Sequence, residues 1–293
     1  MSLRDLDLSV VRRCYAEELR FTAPIVRNPA IAEAFASVPR ERFLGPGPWH
    51  VRGTAAGAAG RDFDTPDADP RHVYHDVVVT IDPERRLNNG GPSLWARCFD
   101  DLDIRLGERV LHVGAGTGYY SAILAELVGK HGAVHAVEID RALAERARAG
   151  LARTPQVEVI AGDARTCDVG EVDLVVASTG MTHPAPLWLD RLADGGRLLI
   201  PLTAQWRGFL LKVTRSGATY AAEAVGWVSI FPCLGGQDAT AAERLRRVLA
   251  KGYPKLRALF RGEPPPDVSD CWYTGPDFWL SRDIRIDLRS DDG

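Results

Sequence analysis

Val110-Leu111-His112-Val113-Gly114-Ala115-Gly116-Thr117-Gly118-Tyr119 is the stretch on which the reading of this chain turns. A short apolar run feeds directly into three glycines at alternate positions, and the residues after them read as a helix. Glycine permits positive φ and lets a ligand lie against bare main chain, while a helix N-terminus presents N–H groups without partners. A dinucleotide fingerprint spaced G-x-G-x-x-G needs its third glycine at position 119, where this chain has Tyr119. The glycines fall at 114, 116 and 118 instead.

Outward from this stretch, apolar strands alternate with helical segments. Strands are expected at 110–113, 133–139, 157–161, 173–178 and 197–202, with helices near 118–129 and 141–151. That alternation predicts an α/β fold, a doubly wound, Rossmann-like, mainly parallel sheet. Residues 208–215 and 225–234 leave little room for a helix between them and predict an antiparallel hairpin closing one sheet edge. Upstream, helices are expected over 4–22 and from Asn28-Pro29 to Ser37, followed by Val38-Pro39-Arg40-Glu41-Arg42-Phe43. The Gly-, Ala- and Asp-rich run at 45–72, with GTAAGAAG near its middle, is expected to be a mobile surface loop. After Gly235-Gly236 the sheet pattern stops; Asp238 caps a helix ended by Gly252, EPPPD at 263–267 reads as a stiff linker, and the aromatic tail at 270–281 is expected to pack back. The organisation is therefore 1–72 helical segment and loop, 73–236 ligand-binding domain, and 237–293 helical and aromatic extension.

Composition narrows the function. The chain has 293 residues with 36 basic and 39 acidic side chains, a net charge of −3. General polyanion binders carry a basic excess, so nucleic acid is not an expected partner. Five scattered cysteines form no C-x-x-C, which argues against a disulfide framework or a bound metal and for a reducing, cytoplasmic setting. No apolar run reaches the ~18 residues that a membrane span needs.

Two acids join the glycine turn. Glu138 ends the second strand, where doubly wound nucleoside binders place an acid for the ribose hydroxyls, with Ile139 after it. Asp163 and Ala164 follow the third strand, where an Asp accepts from an adenine amino group. These residues, with His112, Gly114, Ala115, Gly116, Thr117, Gly118 and Tyr119, lie at successive strand C-termini and form the candidate cofactor site. The G-x-G-x-G form resembles the motif of class I methyltransferases, which implies S-adenosyl-L-methionine as cofactor.

Further elements resemble one family, the protein-L-isoaspartate O-methyltransferases. Val38-Pro39-Arg40-Glu41-Arg42-Phe43 is similar to its V-P-R-x-x-F element, Val73-Tyr74-His75-Asp76 to its A-Y-x-D, and Gly195-Gly196-Arg197-Leu198 to its G-G-R-L. The likeness spans roughly residues 30–235. One segment departs from it: the family carries I-S-Q-P-x-x-x-A, with its Ser near the transferred methyl group. Here Leu87-Asn88-Asn89-Gly90-Gly91-Pro92 puts Gly90 at the Ser position.

The resemblance implies transfer of a methyl group to a carboxylate on a peptide or protein, either isoaspartyl or in a biosynthetic peptide. A carboxylate with pKa ~4 is about 99.9% ionised at pH 7 and needs no general base. Orientation of the acceptor falls to Tyr74, Asp76, Asn88 and Asn89, and Asp76 also fits a structural role. His183 is the base to test if the acceptor is a hydroxyl or amine of a small molecule. A nucleic-acid base enzyme and a binding protein without turnover are the remaining alternatives. A monomer or homodimer is expected.

Overall fold

A computed structural model describes residues 7–53, 61–264 and 269–283. Residues 4–6 of the expected first helix, 54–60 of the glycine–alanine run and 265–267 of the proline linker lie outside the described residues. The chain divides into two compact units, Met1–Ala164 and Arg165–Gly293.

In the first unit, α1 (Leu8–Thr22) starts at Asp7, whose carboxylate accepts from the Ser9 N–H, and α2 (Ala30–Ser37) follows. The connection between them is fastened by the buried Asp100 carboxylate, which accepts from the amides of Val26, Arg27 and Asn28 at 2.7–3.2 Å. Asp100 lies on α3 (Pro92–Leu102), whose N-terminus has the proline favoured at a first helical position.

The expectation of a mobile loop at 45–72 is corrected for the described residues, 45–53 and 61–72. β1 (His50–Gly53) pairs antiparallel with β2 (Asp62–Asp64) and with β3 (Val77–Asp82), which pairs in turn with β4 (Leu87–Asn88). Trp49 and Val51 enter a small core with Leu44, Val73 and Val79. Two well-spaced apolar anchors suffice to order a segment whose average composition reads as loop.

β5 (Arg109–Val113), β6 (Ala133–Glu138) and β7 (Val157–Ala161) form a parallel set in that order, linked by α4 (Tyr119–Val128) and α5 (Arg141–Leu151). This β-α-β-α-β run matches the predicted alternation. Its strands end together, so the residues after β5, β6 and β7 share one edge.

The second unit contains β8 (Val172–Ala177), α6 (Pro186–Arg191), β9 (Leu192–Ala204), β10 (Arg207–Ser216), β11 (Thr219–Ser229), α7 (Ala239–Leu249), β12 (Ala258–Arg261), β13 (Cys271–Gly275) and β14 (Phe278–Ser281). β8 and β9 are parallel; β9, β10 and β11 form an antiparallel meander. The predicted hairpin is present with its second strand at 219–229 instead of 225–234, and it does not close an edge, because β12, β14 and β13 continue the sheet past β11. These strands are too short for a periodic pattern to show. Their aromatics hold them: Phe260 stacks on Trp279 at 4.4 Å, and Tyr273 donates to the Thr182 carbonyl at 2.8 Å.

A buried cation organises the first unit. Arg40, at the start of a 3-10 turn over Arg40–Phe43, is fully buried. Its guanidinium donates to the carbonyls of Val73 (2.7 Å), His75 (3.0 Å) and Val77 (2.6 Å), and to Asn89 Oδ1 (3.3 Å). A planar fork serves several acceptors at once, which an ammonium on a flexible stem does not. Arg40→Lys is therefore expected to lower the urea unfolding free energy by about 2–4 kcal/mol, since buried carbonyls lose charge-assisted partners. A variant as stable as the parent would show that those bonds do not hold the segment.

Candidate active site

The glycine turn after β5 has the conformation its sequence requires. Gly114, Gly116 and Gly118 take φ of 72°, 58° and 96°, the left-handed region that side chains resist. The amides of Gly114 and Ala115 donate to the Val137 carbonyl at 2.9 and 3.2 Å, which ties the turn to the end of β6. At Gly118 a Cβ would meet Leu151 Cδ1 of α5 at 2.8 Å, so this glycine serves packing. At Gly116 a Cβ would meet nothing within 4 Å, so a ligand has room against the bare chain. Thr117 is buried within the turn.

Glu138 completes this edge. Its carboxylate, only 6% exposed, accepts from Gly116 N at 2.7 Å and from Asp140 N at 3.0 Å. Burial pushes its carboxyl above the ordinary value, while the amides of Asp140 and Gly116 pull the other way. Two amide bonds do not exhaust two carboxylate oxygens, which have further lone pairs to offer hydroxyl donors. Ile139 beside it is 43% exposed, an apolar face next to the carboxylate. The Glu138 carbonyl also accepts from Gly162 N at 2.9 Å, which binds the turn after β7 to β6. Asp163 is half-buried and Ala164 buried at that turn. Asp140 caps α5 by accepting from Leu143 N at 3.0 Å and pairs with Arg85.

His112 lies inside β5, almost wholly buried, with Nδ1 at 2.8 Å from the Ser121 hydroxyl of α4. It supports the turn from within the strand.

The second group of predicted residues gathers around Arg40. Tyr74 donates its hydroxyl to Glu41 and accepts from Arg40 N at 3.2 Å, so that hydroxyl is held by the protein. The Asp76 carboxylate accepts from Ser93 N at 2.9 Å, in the first turn of α3, and thereby acts as a helix cap. Asn88 Oδ1 accepts from Gly90 N at 2.9 Å and shapes the turn. Asn89 Oδ1 accepts from Val79 N at 2.9 Å, whereas its buried Nδ2 has no partner among the described residues. Both groups meet at the start of α4: the Tyr119 ring lies 5.8 Å from the Arg40 guanidinium carbon, and the Tyr120 hydroxyl donates to the Gly90 carbonyl at 3.2 Å.

Sequence reasoning gave Arg40, Trp95 and Tyr120 no role in the site. Gly90 takes φ of 75°, and a Cβ there would meet Trp95 Nε1 at 2.7 Å. A serine cannot be restored at this position without moving a fully buried indole. The V-P-R-x-x-F element was the available signal for Arg40; nothing local signalled Trp95.

His183 belongs to the second unit. Its Nδ1 lies 2.9 Å from the Thr182 hydroxyl, which itself accepts from Asp238 N at 3.1 Å. Burial lowers its proton affinity, against the nearby Asp238 carboxylate.

Solved structures carry the same fold. A protein-L-isoaspartate O-methyltransferase superposes with a TM-score of 0.64 at 21% identity, covering 85% of this chain and 73% of that one. A protein from Plasmodium falciparum, described as a putative member of the same group in complex with S-adenosyl-L-homocysteine, gives 0.59 at 17% identity, covering 75% and 97%. This is the Rossmann-like fold of class I methyltransferases. Residues 58–236 match the family model for protein-L-isoaspartate(D-aspartate) O-methyltransferase, and the chain belongs to that family. Its relatives include the protein-L-isoaspartate O-methyltransferase of Aeropyrum pernix, 35% identical over 207 residues that cover 68% of this chain and 70% of that one. The enzyme of the same name from Methanocella arvoryzae is 34% identical over 203 residues, covering 68% and 95%. Among the described residues, no helix is long and apolar enough to cross a membrane.

His112 makes the site's pH behaviour testable. Burial lowers its pKa from 6.5 to about 4. Between these values the unfolded chain binds a proton that the folded one refuses, so stability falls as pH falls, by on the order of 3 kcal/mol in total. His112→Asn should remove that part of the acid sensitivity, read as a shallower fall in urea unfolding free energy from pH 6.5 to 4. An unchanged fall would assign the acid sensitivity elsewhere.

Proposed function

We propose that this protein is an S-adenosyl-L-methionine-dependent methyltransferase that esterifies carboxylates on a peptide or protein, of the isoaspartyl type. The observation that carries the reading is the buried Glu138 carboxylate, bonded to Gly116 N beside a glycine with open space above it. The residues present fit a nucleoside: a carboxylate with spare lone pairs for ribose hydroxyls, bare main chain at Gly116, the exposed Ile139 face, and Asp163 at the neighbouring strand end. When bound, S-adenosyl-L-methionine supplies a methyl group on a positively charged sulfur, open to attack by an oxygen lone pair.

The chain's own task is then to bind, orient and exclude water. An ionised carboxylate acceptor already has its lone pair free, so no residue has to remove a proton. The Nδ2 of Asn89 is a donor of the kind that orients a carboxylate oxygen, and Asn89 is held through its Oδ1 by Val79 and Arg40. Tyr74 and Asp76 support that segment through Glu41 and Ser93 and act as positioning residues. The rearrangement at Gly90 and Trp95 bears on which acceptor is taken more than on methyl transfer itself.

One further feature favours a second reading, a small-molecule hydroxyl or amine as acceptor. The proton affinity of His183 is lowered by burial, which keeps its imidazole neutral and able to take a proton.

Incubation with methyl-labelled cofactor and isoaspartyl peptides should yield a base-labile ester. Asn89→Ala should lower the rate by about tenfold or more through lost orientation, with His183→Ala close to the parent. Absence of ester on any carboxyl peptide, with cofactor binding intact, would contradict the reading; a collapse of activity in His183→Ala alone would favour the second one.

A further inference from the structure

The second unit carries a groove of about 780 Å³ bounded by the tip of the β9–β10 hairpin, the end of β11 and the last turn of α7. Its walls are unusually apolar for a surface: Trp206 is 46% exposed and Trp227 55%. Tyr253 packs edge-on against Trp227 at 5.3 Å, and Phe231 against Trp206 at 4.9 Å. A single exposed indole is ordinary, whereas two on one groove mark a contact surface.

The segment that supplies one wall of the groove is one-sided in charge. Between Ala239 and Ala258 there are six cations, Arg244, Arg246, Arg247, Lys251, Lys255 and Arg257, against one acid, Glu243. All six are exposed; Arg246 and Arg247 share Glu243 as an ion-pair partner, and Arg246 lines the groove together with Arg207. The whole chain has a net charge of −3, so this is a local concentration of positive charge. It lies largely beyond residue 236, where the family match ends.

The third observation is a strand edge. β11 pairs with β10 on both sides of a bulge at 225–226, but on its other side it meets β12 at Tyr220 and Ala221 and the residue before β12 through the Ala222 N–H, which donates to the Arg257 carbonyl at 2.9 Å. Among the described residues, Gly226–Ser229 therefore have no strand on that side, and Trp227, Val228 and Ser229 line the groove.

We propose that this groove docks an extended, aspartate- or glutamate-rich segment of polypeptide. Its main chain pairs with the β11 edge, its apolar side chains lie against Trp206 and Trp227, and its carboxylates face Arg207 and Arg246. Indoles and arginines also suit a single-stranded nucleic acid, but a strand edge pairs with peptide main chain, which a polynucleotide lacks. The proposal deepens the function above and rests on it for one point, that the docked polypeptide is the methyl acceptor. The extension past residue 236 then serves to select acidic acceptors.

Fluorescence anisotropy of the full chain, with no methyl donor present, tests this apart from catalysis. The probe is a fluorescein-labelled peptide alternating aspartate and leucine; a serine–leucine peptide and a single-stranded oligonucleotide are the comparators. The acidic peptide should bind about tenfold tighter than the serine peptide and lose affinity as salt is raised. Arg246→Gln with Lys251→Gln, and separately Trp227→Ala, should each weaken it about fivefold or more, with melting temperature and S-adenosyl-L-homocysteine affinity unchanged. Equal affinity for both peptides, tighter binding of the oligonucleotide, or variants that bind like the parent would each overturn the proposal. Acidic-peptide binding without any ester would uphold the dock and contradict the catalytic reading; ester formation without acidic preference would do the reverse.

Discussion

A carboxylate withdrawn from water is expensive, and the first unit spends its edge geometry on holding one. Glu138 is kept by the amides of Gly116 and Asp140, and its carbonyl takes the amide of Gly162. Those contacts join the ends of β5, β6 and β7 in a single hydrogen-bonded rim. The left-handed glycines at 114, 116 and 118 follow from it, because only such a path brings Gly116 N to the carboxylate while Gly118 packs against α5. Asp140 then caps that helix, so the rim and the helix start are set by the same few residues.

The second half of the site depends on Arg40. Three segments distant in sequence, around residues 40, 73–77 and 89, converge because one guanidinium supplies donors to all of them. The cation rests against the Tyr119 ring at the start of α4, the helix opened by the glycine turn. The Glu138 rim and the Asn89 segment thus share one helix as a common wall. A change at Arg40 would be felt at Asn89 as well as in the 73–77 segment.

Legibility followed the range of the interactions. The glycine turn, Glu138 at a strand end and the Asp238 cap were readable because each is settled within a few residues of spacing. Arg40 was visible only as part of a family-like element; its acceptors lie more than thirty positions away, beyond any local pattern. β1 was hidden because Trp49 and Val51 are diluted by glycine, alanine and aspartate around them. β12 to β14 were hidden because strands of four or five residues carry no clear period, and aromatic stacking rather than alternation orders them. The missing hydroxyl at Gly90 was legible, but its reason, the Trp95 indole beneath it, was not.

Whether the Glu138 rim holds a nucleoside is open to direct measurement. Isothermal titration of S-adenosyl-L-homocysteine into the parent and into Glu138→Ala tests it most directly, with a thermal melt to confirm that both are folded. Clear binding by the parent and a loss of about tenfold or more in the variant are expected, the scale of charge-assisted hydrogen bonds to a ligand. A folded variant that takes up the ligand as tightly as the parent would contradict that expectation.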